Sequence, residues 1–553
     1  MRVCEEAPGS RFNPDCADGS VSDHDASWWK KAVIYQIYPR SFQDSNEDGI
    51  GDIPGICSRV DYLVKLGIDA VWLAPICPSP MDDFGYDIAD FTGVDPVFGT
   101  MEDFDRLLSL LHERGIRLIL DFVPNHTSDR HAWFRESRRS KNDLRRDWYV
   151  WRSPAKDGGP PNNWLSRFGG SAWEYDEGSG EYYYHAFLKS QPDLNWRNPE
   201  VRKAMHDVLR FWMRRGVDGF RLDAAAVTVE DDLLRDDPPL DGDLSEVPPP
   251  EHQQRIYSDN RPETLEFLDE LRQVVAEFPG RVLLGEVDTS PENACRFYGE
   301  TKPRIDLPLN YRLLDVEWTA AEVEAELDQY YNLLPAHAWP NWALGSHDKR
   351  RIAERRSEAG ARLAALLLFT LRGTAIFYQG DELGILQVPI PPERVSDPFE
   401  KLVPGFQLGR DGERAPMRWD AARNAGFSRV EPWLPIGPNS ERQNVEALKR
   451  NPHSILWLYI ELIRLRRQEP ALLMGEYEPL RRDGEVVKFK RVRNDTCIAV
   501  LANFGSDFKE VKLPPHARML VTTYLDRNLP SGTSLQLRPY EGVVLSISEG
   551  AYV

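Results

Sequence analysis

Eight short apolar runs, each followed by a stretch of helical pattern, recur through most of this chain, and no other feature restricts its fold as tightly. They are Val33–Tyr38, Ala70–Ala74, Leu118–Val123, Gly219–Leu222, Val282–Gly285, Ile305–Leu309, Trp342–Gly345 and Ala375–Tyr378. Strands that read as continuous apolar runs are buried on both faces, as in a parallel sheet, and alternation with helices builds βα units. Eight such units over roughly 350 residues predict a (β/α)8 TIM barrel carrying insertions. An open doubly wound sheet would place a Gly-rich phosphate loop after its first strand, and none stands there.

The breaks in this pattern give the expected domains. The 553 residues are too many for one core. Residues 28–127 and 200–474 are expected to form the barrel. Between the third and fourth strands, residues 128–199 carry many aromatic, Gly, Pro and Asn residues with little helical period, and are expected to form an excursion domain. A second insertion, about 231–260 and including VPPPEHQQ, is expected over the barrel mouth. Residues 475–553 alternate polar and apolar in short runs (VVKFKRV, TCIAVLANF), which predicts an antiparallel β domain. Residues 1–27 read as a polar, flexible leader without the apolar segment of an export signal.

A formal charge of −20 argues against nucleic acid or anionic lipid as partner. The longest apolar run, 361–371, is interrupted by Arg362 and is about half the length a membrane span needs. Six scattered cysteines fit reduced thiols in a cytoplasmic protein and no disulfide framework. A monomer or small homo-oligomer is expected.

Three acids stand at strand ends: Asp223 in GVDGFRLDA, Glu286 in RVLLGEVD and Asp348 in NWALGSHDK. Barrel enzymes place their chemistry at that face, and a carboxylate closing an apolar strand is costly unless it faces a polar site. Glycosidic cleavage needs such a set: one carboxylate attacks the anomeric carbon and a second protonates the leaving oxygen, then activates water. Arg221 shares the inward face of its strand with Asp223 and is expected to hold it ionised. Glu286 is expected in a drier place, protonated until it acts. Asp348 would stabilise positive charge on the sugar ring.

The motifs DFVPNH (121–126), GFRLDA (219–224), GEVD (285–288) and SHD (346–348), in this order and spacing, resemble the α-amylase family of glycoside hydrolases. QPDLN (191–195) is similar to a signature of that family's oligo-1,6-glucosidase and α-glucosidase branch. The resemblance implies Asp223 as nucleophile, Glu286 as acid/base and Asp348 as transition-state stabiliser, with His126 and His347 on sugar hydroxyls. It also implies that Asp87 clamps the non-reducing end, with Tyr86 stacking on the ring. Arg414 in RDGERAPMRW resembles the arginine that pairs with that Asp, although Ala415 stands where Thr is usual, and Arg410 is a second candidate. Phe168 and Phe187 look like aromatic walls.

The closed pocket so implied predicts exo action on the terminal glucose of small α-glucosides. In this branch Val after the nucleophile tends to accompany α-1,6 activity. Ala224 stands there and favours α-1,4 substrates. A transglucosidase or sucrose isomerase on the same scaffold is the alternative. A non-catalytic relative would need a membrane anchor and would typically lack the acids kept here.

DSNEDGIGD places Asp44, Asn46 and Asp48 at alternate positions, then Gly49, the Ile50 carbonyl and Asp52. The opening matches a calcium loop, but Gly55 occupies the twelfth position that a complete EF-hand gives to Glu. The resemblance implies a structural Ca²⁺ there, with Mg²⁺ less well suited, and no organic cofactor.

Overall fold

The computed structural model describes residues 27–287, 289–526 and 533–548. All of the expected leader but Ser27 lies outside these, with Cys4 and Cys16, as does Asp288 of the GEVD motif. Eight parallel strands form the central sheet, each within two residues of its expected bounds: β1 (Val33–Ile37), β2 (Ala70–Leu73), β3 (Arg117–Phe122), β7 (Gly219–Leu222), β8 (Val282–Gly285), β9 (Leu307–Pro308), β10 (Asn341–Ala343) and β11 (Thr374–Tyr378). Between β3 and β7 run β4 (Trp151–Arg152), β5 (Trp173–Asp176) and β6 (Glu181–Tyr184). The barrel order β10-β11-β1-β2-β3-β7-β8-β9 is that of a (β/α)8 fold.

Local chemistry explains the helices around it. The helix Met101–Glu113 starts in a Thr100/Asp103 capping box and buries Phe104, Leu107, Leu108 and Leu111, one stripe at helical spacing. The helix Pro199–Arg215 has Asn198 as its N-cap and Pro at N1. It ends at Gly216, whose φ of 114° suits glycine and lets the chain turn back into β7.

The seam between β9 and β10 closes differently. Pro308 has no N–H to offer a ladder, and Asn341, fully buried, supplies the bonds from its side chain. Its Nδ2 donates to Pro308 O at 2.6 Å and to Tyr298 Oη at 3.1 Å, while its Oδ1 accepts from Asn310 N at 3.0 Å. Ala343 N donates to Asn310 O at 3.0 Å.

The residues after β3 form a small antiparallel sheet, β4-β6-β5, over a core that includes Trp164, Trp173 and Tyr184 and touches Ala224 and Val227. The 231–260 segment packs on it: Trp164 Nε1 donates to Arg235 O and Asn163 Nδ2 to Asp237 O, both at 2.9 Å. At the C-terminal end, β12 (Glu476–Asp483), β13 (Val486–Arg493), β14 (Thr496–Asn503), β15 (Lys509–Lys512), β16 (Arg518–Thr522), β17 (Ser534–Leu537) and β18 (Gly542–Ile547) make the antiparallel sheet β12-β13-β14-β18-β16 and the pair β15-β17. Buried Arg491 ties it to the barrel, donating to Thr370 O at 2.7 Å and Gly475 O at 2.8 Å. A side chain at Gly542 would collide with Leu363 and Leu366 of the barrel helix Ile352–Thr370.

Asn341→Leu keeps the volume of the seam but strands Asn310 N and Pro308 O. Each buried group left unpaired costs about 1–3 kcal/mol. We therefore expect a clearly lower urea midpoint; an unchanged midpoint would show that the seam is held elsewhere.

Candidate active site

A buried guanidinium organises the C-terminal face of the barrel. Arg221, 1% exposed at the end of β7, places NH1 at 2.7 Å from Asp121 Oδ1 and 2.6 Å from Asp223 Oδ1, and NH2 at 2.6 Å from Glu286 Oε2. The GFRL strand alternation turns Arg221 inward, and Asp121 enters from the paired position on β3. Glu286 follows the last residue of β8 and also accepts from Ala224 N at 3.3 Å.

The electrostatics correct two expectations. Burial pushes the Asp223 carboxyl well above its usual range. Arg221 opposes this, but the nearby Glu286, Asp121 and Asp348 add to the rise. Glu286 is the wetter of the pair, its side chain 27% exposed against 12% for Asp223. Desolvation falls hardest on the more buried of the two acids, and one guanidinium divided among three carboxylates cannot fully offset it.

Asp348 behaves oppositely. Burial would raise it, but a hydrogen bond from His347 Nε2 at 3.1 Å and the guanidiniums of Arg410 and Arg414, at 3.0 and 2.7 Å, outweigh burial and hold it ionised. His347 is wholly buried and, by desolvation, neutral. Its Nδ1 faces the amide nitrogen of Gln36 at 2.7 Å, so the proton sits on Nε2, which faces Tyr86 Oη at 2.7 Å and Asp348 Oδ2 at 3.1 Å. Tyr86 lies flat on this ring, with an interplanar angle of 3°. His126 is also neutral, its pKa pushed by burial to about 3, and its Nδ1 pairs with Asn125 Oδ1 at 2.8 Å.

These groups surround a pocket of about 400 Å³, lined by Asp223, Glu286, Asp348, Tyr86, His126 and Phe187 among others. Its inner end is shut by a pair that replaces the expected Asp87–Arg414 clamp. Asp87 points away from the pocket: its carboxylate accepts from Ser79 Oγ at 2.7 Å, Asp82 N at 3.0 Å and Asp83 N at 3.1 Å. Arg414 lies beneath the pocket on Asp348 and His347 O. The closing pair is Asp83–Arg410, at 3.1 Å. Asp82 and Asp83 precede a tight turn at Phe84 (φ 50°), which sends Asp83 inward and Asp87 into the loop interior. Arg410, the second candidate from the sequence, reaches the pocket because Asp397 grips it from below at 2.9 Å. Arg221 and His347 sit behind the lining side chains.

Sequence reasoning missed several members. Asp397 caps the short helix Pro398–Leu402, accepting from Phe399 N, and so aims Phe399 at Phe168, with ring centroids 4.1 Å apart. Its Asp-Pro start was a readable helix signal. Gln191 of QPDLN donates to Asp83 Oδ2 at 3.1 Å, and Asp193 accepts from Asn125 and Ala186 N, which ties that motif to the pocket floor. Pro250, Glu251 and Arg255 reach the mouth from the 231–260 insertion, beside Arg167. Ala224 holds φ 44°, ψ 40°, a conformation side chains rarely adopt, between Asp223 and a short helix.

The 44–52 loop is closed by its own hydrogen bonds. Asp44 accepts from Asn46 N, Glu47 N and Gly49 N, Asp48 from Ile50 N, and Asp52 caps the helix Ile53–Ser58. Gly49 has φ 87° and lies against Glu431 O. Among the described residues no three His, Cys, Asp or Glu side chains converge as a metal site. The donors are nonetheless all oxygen, and a carboxylate accepting three bonds keeps a lone pair free.

Asp223→Asn removes the charge that burial disfavours and leaves Arg221 two carboxylates. We expect the variant to melt higher than the parent at neutral pH. Because the folded pKa of Asp223 is raised, the parent regains stability as pH falls and that carboxyl takes up its proton, so the difference should shrink toward acid pH. A difference independent of pH would refute this source of strain.

Comparison with known proteins agrees with this geometry. The alpha amylase catalytic domain family matches residues 36–475. A probable alpha-glucosidase of Rhizobium meliloti is 42% identical over 90% of this chain and 92% of its own length. An oligo-1,6-glucosidase of Parageobacillus thermoglucosidasius is 37% identical over 94% and 99%. Among solved structures, the alpha-glucosyl transfer enzyme XgtA superposes with a TM-score of 0.88 at 38% identity, covering 94% of this chain and 99% of that one. The trehalulose synthase MutB gives 0.85 at 34%, covering 94% and 100%. This chain belongs to the α-amylase family and is a glycoside hydrolase.

Proposed function

We propose that the protein is a retaining, exo-acting α-glucosidase that removes the terminal glucose of short α-glucosides. The observation that carries this reading is the pocket itself, blocked at one end by Asp83–Arg410 and the Phe168–Phe399 stack, with three acids along its length. A chain end can enter; the middle of a polysaccharide cannot.

In this reading Asp223 attacks the anomeric carbon while Glu286 gives its proton to the leaving oxygen. Water then attacks the glucosyl–Asp223 ester as Glu286 takes a proton, and two inversions give net retention. Asp223 and Glu286 share Arg221, and the reactive form has Asp223 as the carboxylate and the proton on Glu286. Asp348, kept ionised by Arg410 and Arg414, faces the developing positive charge.

Ala224 supports α-1,4 substrates, since a small residue beside the nucleophile leaves room for that leaving group. The likeness to XgtA and MutB, whose names describe transfer and trehalulose synthesis, supports glucosyl transfer as a second reading. A panel of maltose, isomaltose, sucrose and trehalose, with NMR of the first-formed anomer, tests both. We expect α-glucose from maltose foremost; β-glucose would refute retention, and dominance of isomerised or lengthened products would favour transfer. Asp223→Asn should lower turnover on the order of 10³–10⁶-fold.

We further propose that the 44–52 loop binds Ca²⁺ through Asp44, Asn46, Asp48, the Ile50 carbonyl and Asp52. The hard, all-oxygen donor set supports this. Chelator should then lower the melting temperature and Ca²⁺ restore it, while Asp44→Ala should abolish the response; a parent protein indifferent to chelator would contradict it. Among the described residues no helix is long and apolar enough to cross a membrane. Among the described residues Cys57, Cys77 and Cys295 stand in no disulfide, which supports a cytoplasmic setting.

A further inference from the structure

A second cavity, of about 140 Å³, adjoins Glu286. Glu286 and Lys349 line both this cavity and the sugar pocket, so the two meet at the acid/base residue. Its other walls include Asn310, Tyr298, Cys295 and Asp315. Asp315, with 61% of its side chain exposed, stands at the outer lip.

The chemistry of the lining is that of a wet passage. Asn310 is buried, and three of its four polar groups are committed: its N–H to Asn341 Oδ1 at 3.0 Å, its carbonyl to Ala343 N at 3.0 Å and its Oδ1 to Arg312 N at 3.1 Å. These bonds fix the amide's orientation and leave Nδ2 with no partner among the described residues. The walls are mixed, Val287, Ala294 and Leu309 standing beside the polar groups, and a buried amide donor at such a cavity is satisfied by water. The volume holds several molecules, since each needs only about 10–15 Å³ of such space.

We propose that this cavity delivers the hydrolytic water to Glu286, and that its openness sets the balance between hydrolysis and glucosyl transfer. The inference rests on the retaining glucosidase reading. In that mechanism the departing sugar occupies the pocket mouth just when water is required, and Asp83–Arg410 bars the other end. A side route that meets the pocket at Glu286 brings water to the residue that deprotonates it. The oxygen then forms the new bond to the anomeric carbon, the bond to Asp223 Oδ breaks with its electron pair returning to the carboxylate, and the proton remains on Glu286.

The test uses the full chain with two substitutions on different elements. Cys295→Phe, on the helix Pro291–Phe297, fills the cavity, and Asn310→Leu removes its water-binding donor. With an aryl α-glucoside, kcat/KM for release of the aryl alcohol reports steps up to the glucosyl–enzyme. With glycerol added, the ratio of glucosylglycerol to glucose reports its partition. We expect release within about twofold of the parent and a transfer-to-hydrolysis ratio raised at least about threefold in both variants. Normal release with an unchanged ratio overturns the water route alone. A parent protein that releases no aryl alcohol overturns the glucosidase reading, and the route with it. Should one variant misfold, seen as lost release and an altered circular dichroism spectrum, the other decides.

Discussion

Arg221 and the carboxylates around it form the interaction on which the active face depends. Burying a guanidinium is costly, and so is burying three carboxylates, and the attraction among them offsets this only where geometry leaves every partner in contact. Here the fork reaches Asp121, Asp223 and Glu286, three residues brought in from β3, β7 and β8. Removing the arginine would leave three acids with no counter-ion. The barrel bears this arrangement because its eight buried strands and their helices supply a large apolar core beneath it.

A second arginine layer stands opposite. Arg410 and Arg414 converge on Asp348, with Asp397 and Asp83 completing the charge balance. The two layers set opposite protonation tendencies on acids of the same pocket: Asp223 is pushed up by burial and neighbouring acids, while Asp348 is held down by two guanidiniums. The difference is imposed by surroundings and not by residue type, and such differences are what a mechanism that divides acid and base roles among carboxylates requires.

The insertions turn this general barrel chemistry into a shaped site. Phe168 and Phe187 come from the segment after β3, Phe399 and Arg410 from the segment after β11, and Arg255 from the 231–260 insertion. Each is anchored by a polar device at its base: Ser166 Oγ on Phe168 N and Phe187 O, Asp397 on Phe399 N and the Arg410 guanidinium, and Arg255 on Leu165 O and Pro250 O. Ala224, strained beside Asp223, touches the core of the segment after β3 and so couples its packing to that carboxylate.

The sequence by itself determined the barrel, because buried parallel strands must read as apolar runs. It also located Asp223, Glu286 and Asp348, because an acid that closes such a run is too costly to bury unless it faces a polar site. Phe168, Phe187, His126 and Tyr86 were legible as pocket residues too. The tertiary structure alone decided which of Asp83 and Asp87 meets which of Arg410 and Arg414. Those choices lie in loops, where no periodicity assigns a side chain its direction and a single left-handed residue, Phe84, reverses it. The electrostatic contrast between Asp223 and Asp348 was equally hidden, since it depends on how many guanidiniums reach each carboxylate across strands far apart in the chain.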